Sequence, residues 1–177
     1  SKDNPYRDYY IWRNGVDGGP PNNYPSFFSG SAWEWDEPTG QYYLHYFAAK
    51  QPDLNWENPA VRAEVFELMR FWLDKGVSGF RMDVIPFIAK QPGLPDLDAE
   101  QLRHPEFVYA SGPRLHEFLQ TMYREVLDGR DAMTVGEAFG GEFEKAPLFT
   151  DARRHELSTI FHFDIVRIDH DNWRKIE

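Results

Sequence analysis

The chain has 177 residues, of which 41% are hydrophobic, enough for one domain or two small ones with a buried core. Its 19 basic and 29 acidic residues give a formal net charge of −10, which argues against nucleic acid or an anionic membrane as a partner, because both attract basic surfaces. Disulfides and thiolate chemistry are excluded because there is no cysteine. No apolar run approaches the roughly 18 residues of a membrane helix, no signal peptide opens the chain, and we expect a cytoplasmic protein.

The first part of the chain, residues 1–58, holds about half of the aromatic residues, together with many glycine, proline and asparagine residues. Turn signals occur at 18–21 and 38–40. Trp33–Trp35 and Gln41–Phe47 flank the second turn and predict a β-hairpin. We expect a loop-rich subdomain with a small antiparallel sheet. Its aromatic density suits the apolar faces of carbohydrate rings, although the thin core of a small domain explains it as well.

A helix is predicted directly after this part. Asn58 is a candidate N-cap, and Pro59 suits the first helical turn. Apolar residues then recur at helical spacing, namely Val61, Val65, Leu68, Met69, Trp72 and Leu73. Gly76 predicts the end of the helix.

Strands and helices alternate in the rest of the chain. The predicted strands are Val77–Ile85, Ala132–Glu137 and Thr159–Asp164. The predicted helices fall at about 113–127, after a polar insert at 91–112, and near 151–157. This alternation implies right-handed βαβ units and a parallel sheet. Three strands fit either an open doubly wound sheet or part of a (β/α)8 barrel, since a closed barrel needs about 250 residues.

The strand 77–85 carries two charges near its carboxyl end. Gly79, Arg81 and Asp83 share one face, because side chains alternate along a strand, and Gly79 leaves space beneath the charged pair. Ligands of parallel α/β folds bind at the C-terminal ends of the strands. A guanidinium lowers the pKa of a neighbouring carboxyl and keeps it ionised, which is the state that a carboxylate nucleophile needs.

The next strand also ends in a carboxyl, that of Glu137, with Phe139 close behind it. A carboxyl against apolar surface can stay protonated near neutral pH. One ionised and one protonated carboxyl, about 5–5.5 Å apart, form the pair that a retaining glycosidase needs. Spacing alone fits a structural interpretation equally well, in which Arg81 and Asp83 fix the strand register and Glu137 caps the following helix.

Four segments in this order resemble the α-amylase superfamily, glycoside hydrolase family 13, and its branch of oligo-1,6-glucosidases, α-glucosidases and sucrose isomerases. They are the aromatic stretch from "KDNPYRDYYIWR" to "TGQYYLHYF", then "QPDLNWENPAVR", "GFRMDVI" and "TVGEAFG". The resemblance covers essentially the whole chain. It implies an α/β fold in which 59–177 form part of a (β/α)8 TIM barrel and 1–58 form a small inserted subdomain.

By position, the resemblance implies that Asp83 is the nucleophile and Glu137 the general acid/base, and that Arg81 positions Asp83 and contacts the sugar. Further substrate contacts are implied for Val84, Phe139, Phe163 and Arg167. Core packing or a solvated charge remains an alternative for the last three. The substrate implied is an oligosaccharide or disaccharide, and no redox cofactor is needed.

The residue after the nucleophile bears on the linkage. Val84 resembles relatives that prefer α-1,6 bonds, which favours an oligo-1,6-glucosidase. A sucrose isomerase or a transglucosidase is the alternative, because 147–157 resembles the isomerases as well. Their nucleophile segment differs from "FRMDVI", and the charged pattern of their acceptor loop is only partly present in "VRIDHD". A non-catalytic scaffold is a minor alternative, since both carboxyls are present.

Two parts of the family pattern are missing. A strand with an Asp and a substrate-binding His would precede Ser1, and an Asn-His-Asp segment would follow Glu177. Because the chain also begins without Met and has few strands, we expect a piece of a longer protein that is inactive by itself. No histidines or carboxylates cluster at metal-ligand spacing, so no metal site is predicted.

Overall fold

Two three-stranded sheets organise the part of the chain that the structure describes, residues 2–141, 143–161 and 163 of a computed structural model. The first sheet is antiparallel, with the order β1–β3–β2, and its strands are Trp12–Arg13 (β1), Trp33–Asp36 (β2) and Gln41–Leu44 (β3). The predicted hairpin is confirmed, since β2 pairs with β3 across the turn. The two-residue strand β1 was not predicted, because two residues are too short to show an alternating pattern.

Helix α1 spans Pro59–Asp74 and begins and ends at the predicted residues. The side chain of Asn58 accepts a hydrogen bond from the N–H of Ala60 at 2.9 Å, which satisfies one of the free donors of the first turn. Gly76 follows the last turn with a φ of 93°, a left-handed conformation that suits glycine.

The second sheet is parallel, as predicted, with the order β4–β5–β6. Its strands are Gly79–Met82 (β4), Met133–Glu137 (β5) and Thr159–Phe161 (β6). Since parallel strands all end at the same edge, the carboxyl ends of β4 and β5 lie side by side. Strand β4 is shorter than predicted because Val84 is left-handed and a 3-10 turn follows at Ile85–Ile88. The predicted end of the third strand, Asp164, lies outside the described residues.

Gly79 does not act as the sequence suggested. We expected it to leave space beneath the charged pair. In the structure, a Cβ on Gly79 would lie 2.0 Å from the carbonyl oxygen of Met133, so the missing side chain lets β4 approach the backbone of β5. This close approach brings the two acidic strand ends together.

The remaining helices partly match the predictions. Helix α2 spans Pro105–Tyr109, within the insert, and α3 spans Leu115–Met122 and continues as a π-helical turn at Tyr123–Leu127. Helix α4, Ala146–Thr150, lies before the predicted 151–157, where the structure has a 3-10 turn at Ala152–Arg154. Pro147 suits the first turn of α4, and Asp151 caps the N-terminus of the 3-10 turn.

Two hydrophobic clusters fill the interior. One packs α1 and α3 against the parallel sheet and includes Phe66, Met69, Phe118 and Leu119. The other is aromatic and joins the antiparallel sheet to the insert; its members include Tyr24, Trp33, Tyr46, Phe87 and Tyr109. The rings of Tyr46 and Tyr109 stack at 4.0 Å in this cluster. In the part of the chain described by the structure, no helix has the length and apolar character to span a membrane.

Candidate active site

Arg81 links the two candidate catalytic carboxylates. Its Nη1 donates a hydrogen bond to Oδ1 of Asp83, and its Nη2 donates to Oε2 of Glu137 at 2.7 Å. The ring of Phe161, on β6, lies 5.4 Å from the guanidinium carbon in a cation–π contact. Asp83 directly after β4, Glu137 on β5 and Phe161 on β6 therefore fix the position of this guanidinium.

Asp83 has the electrostatic environment expected of an ionised carboxylate. The hydrogen bond from Arg81, and then the hydrogen bond with the Glu137 carboxyl, hold the pKa of Asp83 below its ordinary value. Arg81 hydrogen-bonds both carboxyl groups, so they lie on one guanidinium. The side chain of Asp83 is 78% exposed in the described part of the chain, so its carboxylate is open to a ligand.

Glu137 is more enclosed, with a side chain that is only 14% exposed. Its Oε2 accepts a second hydrogen bond, at 3.1 Å, from the backbone N–H of Val84. The sequence suggested mainly apolar surroundings for this carboxyl. The structure instead gives one of its oxygens a guanidinium donor and a backbone donor.

Val84 has an unusual backbone conformation, with a φ of 35° and a ψ of 46°. A β-branched residue rarely adopts the left-handed region, because its side chain crowds the backbone there. No glycine or asparagine marks this turn, so sequence reasoning missed the backbone donor. Only the pairing of β4 with β5 reveals that the N–H of Val84 reaches Glu137.

The two predicted aromatic residues lie in contact with each other. The rings of Phe139 and Phe163 meet edge to face at 5.1 Å. Phe139 also contacts Phe27 at 5.5 Å and Phe87 at 5.9 Å, so it belongs to the aromatic packing as well. The last predicted contact, Arg167, lies outside the described residues.

A cavity of about 340 Å³ opens beside Asp83 and Val84. Its walls include Phe47, Trp56 and Phe87. This volume falls in the range of roughly 300–1,000 Å³ that is usual for small-molecule sites. Among the described residues, no three His, Cys, Asp or Glu side chains converge in a way that could hold a metal ion.

A buried ion pair, Lys90 with Asp53, borders the same cavity and was not predicted. The Nζ of Lys90 also donates to the carbonyl of Phe87 at 2.7 Å and lies 4.0 Å from the ring centroid of Tyr46. Burial lowers the pKa of Lys90 below its ordinary value, against the opposing effect of Asp53. The pair connects a chain segment before α1 to one after β4, so spacing along the sequence gives no signal for it.

The whole chain, residues 1–177, matches the alpha amylase catalytic domain model. The chain belongs to the alpha-amylase family. It is 59% identical to an oligo-1,6-glucosidase of Parageobacillus thermoglucosidasius over 172 residues, which are 96% of this chain and 31% of that relative. The resemblance seen in the four motifs is thereby confirmed. The chain spans about a third of the length of the curated relatives that it matches.

Solved structures of the family are also close to this chain. A trehalulose synthase mutant in complex with Tris has a TM-score of 0.93 and 57% identity, over 96% of this chain and 30% of that one. An isomaltulose synthase mutant from Erwinia rhapontici NX5 in complex with D-glucose has a TM-score of 0.94 and 54% identity, with the same coverage. Hydrolases and isomerases of this family are thus nearly equally similar to the chain.

The contact between Arg81 and Asp83 gives a testable pH dependence. Because Arg81 lowers the pKa of Asp83, we expect Arg81→Met to raise it, so that Asp83 becomes protonated at a higher pH than in the parent protein. A ¹³C NMR titration of labelled aspartate carboxyls measures this. Asp151 is the internal control, because its pKa is lowered to about 2 by a different arginine, Arg153. The titration of Asp151 should be the same in Arg81→Met as in the parent protein. An unmoved Asp83 titration would contradict the assigned cause.

Proposed function

We propose that the protein carrying this chain hydrolyses α-glucosidic bonds of short oligosaccharides, mainly α-1,6 bonds, with retention of configuration. The observation that carries this proposal is the contact of Arg81 with both Asp83 and Glu137 at neighbouring strand ends. Membership of the alpha-amylase family supports it, as does the identity with an oligo-1,6-glucosidase. The activity is a proposal for the whole protein, of which this chain supplies one part.

The proposed reaction is a double displacement. Asp83 attacks the anomeric carbon while Glu137 gives a proton to the glycosidic oxygen, so the bond to the leaving sugar breaks as the glycosyl ester forms. Glu137, now deprotonated, takes a proton from a water molecule that attacks the same carbon and releases Asp83. A sugar hydroxyl in place of water would give transglycosylation or isomerisation at the same site.

The other site residues keep their expected roles in this proposal. Arg81 orients Asp83 and contacts the sugar, and Val84 shapes the acceptor side. The remaining substrate contacts are Phe139, Phe163 and Arg167. The partner is an oligosaccharide or disaccharide, and the net charge of −10 argues against nucleic acid or an anionic membrane. A cytoplasmic location stays a prediction.

The proposed architecture of the whole protein is a closed barrel. The parallel order of β4, β5 and β6 is consistent with three consecutive barrel strands. We assign 59–177 to this barrel and 1–58 to a subdomain inserted in it. The packing of the insert at 91–112 against the aromatic cluster of 1–58 would then fix the subdomain over the strand ends.

Product analysis of the full-length protein tests the activity. Incubation with isomaltose, maltose and sucrose in separate reactions is expected to release glucose fastest from isomaltose. We also expect the first product to be the α-anomer, detected by ¹H NMR before mutarotation, because two displacements retain configuration. Absence of glucose from both isomaltose and maltose would overturn the proposed hydrolase.

A sucrose isomerase is the second candidate, and the similarity to trehalulose synthase and isomaltulose synthase structures favours it. The same incubations separate the two candidates. Isomaltulose or trehalulose as the main product from sucrose would support the isomerase, since the fructose would then be rejoined to glucose at a new position. Free glucose and fructose from sucrose would support a hydrolase.

A further inference from the structure

We infer that the backbone N–H of Val84 is a positioning group for Glu137, fixing one carboxyl oxygen so that the other faces the glycosidic oxygen of the substrate. This inference rests on the proposed glycosidase function and adds a role that does not involve the side chain of Val84.

Glu137 receives two hydrogen bonds on one carboxyl oxygen. Arg81 Nη2, at 2.7 Å, and the N–H of Val84, at 3.1 Å, both donate to Oε2. Two donors on one oxygen fix the plane of a carboxyl group and restrict its rotation. Oε1 is then the oxygen that exchanges the proton with the leaving sugar and later with water.

The backbone is strained directly after this donor. Val84 directly follows Asp83 and has a φ of 35°, a left-handed conformation that a β-branched residue rarely adopts. The turn is secured beyond Val84, where the N–H of Phe87 donates to the Val84 carbonyl at 2.9 Å and Ile85, Pro86 and Phe87 are buried. The left-handed conformation turns the chain out of the direction of strand β4 directly after this amide, whose N–H bonds the Glu137 side chain. The peptide between Asp83 and Val84 therefore links the position of the nucleophile to the orientation of the acid/base.

The consequence for catalysis is specific to proton transfer. A misoriented Glu137 would still leave Asp83 able to attack, so kcat/KM, which depends on the first displacement, should be spared for substrates whose leaving group needs no proton. Substrates with a sugar leaving group need the proton from Glu137, and their kcat/KM should fall. The second displacement uses Glu137 as base for every substrate, so kcat is not the discriminating quantity. A purely structural role for the Val84 N–H would reduce both kcat/KM values equally.

The test is an amide-to-ester replacement at Val84 in the full-length protein, made by incorporating α-hydroxyisovaleric acid. It removes the N–H and keeps the side chain. We expect kcat/KM on isomaltose to fall about 10- to 100-fold, mainly through kcat, which is the scale expected when a catalytic group is misplaced. The kcat/KM on 2,4-dinitrophenyl α-glucoside should fall less than about threefold. The same replacement at Val77, whose N–H donates to the Trp72 carbonyl at 3.2 Å, is the matched control and should change neither rate.

An NMR measurement tests the contact independently of whether the ester protein folds. With ¹⁵N-valine labelling, the amide proton of Val84 is expected to move upfield in Glu137→Ala, while that of Val77 stays unchanged. Equal losses on the two substrates, or an unmoved Val84 amide, would overturn the inference and leave the glycosidase proposal intact. A parent protein that hydrolyses neither substrate would overturn both.

Discussion

Replacing Asp83 by asparagine is expected to reduce turnover of isomaltose by the full-length protein on the order of 10⁴- to 10⁶-fold, the scale seen when an enzyme loses its nucleophile. The amide oxygen of asparagine is a poor nucleophile and does not form a stable glycosyl ester. It can still accept the hydrogen bond from Arg81, so the site should keep its shape. Initial rates with isomaltose and with an aryl α-glucoside measure the loss, and both should fall together because both reactions need the nucleophile.

The fold should survive this substitution, since the Asp83 side chain is 78% exposed in the described part of the chain. Circular dichroism and the thermal midpoint should match those of the parent protein. Asp151→Asn is the matched control, because Asp151 is also paired with an arginine, Arg153, but does not contact Glu137. Its activity should equal that of the parent. Near-parental turnover by Asp83→Asn would reject the role of Asp83 as nucleophile.

Features with a local cause could be predicted from the sequence. Asn58 and Pro59 predict the start of α1, because a cap and a first-turn proline act within one turn of helix. The turn at 38–40 predicts the hairpin for the same reason. The alternation of helices and strands predicts the parallel sheet, and its C-terminal edge is where Arg81, Asp83 and Glu137 meet.

Features that depend on long-range contacts could not be predicted. The left-handed turn at Val84 has no local signal, since valine is one of the residues least suited to it. The sequence predicts a special role for Gly79, but the predicted role, leaving space beneath the charged pair, is wrong. The actual role depends on the carbonyl of Met133, more than fifty residues away. The sequence predicts candidate site residues, whereas the orientation of their side chains depends on neighbouring strands.

The buried pair of Lys90 and Asp53 should be important for stability. Their side chains are only 9% and 14% exposed, and the Oδ2 of Asp53 also accepts the N–H of Tyr46 at 2.8 Å. Lys90→Met would leave the Asp53 carboxylate buried without its cation. We therefore expect the free energy of unfolding of the full-length protein to fall by about 3–5 kcal/mol, which is the usual cost of breaking a buried ion pair on one side. Chemical denaturation at pH 7 measures this loss.

The double variant Lys90→Met with Asp53→Asn separates the charge effect from lost packing. Asparagine can still accept the N–H of Tyr46 but carries no charge, so the double variant should be less destabilised than the sum of the two single variants. Arg114→Met is the control for a surface pair, since its partners Glu57 and Glu117 are about half exposed, and it should cost no more than about 1 kcal/mol. If the loss of unfolding free energy in the double variant equals the sum of the losses in the two single variants, the ion pair is not what stabilises this cavity wall. If the loss in the double variant is smaller than that sum, the charges at Lys90 and Asp53 fix the segment after β4 against the segment before α1, beside the cavity that Asp83 lines.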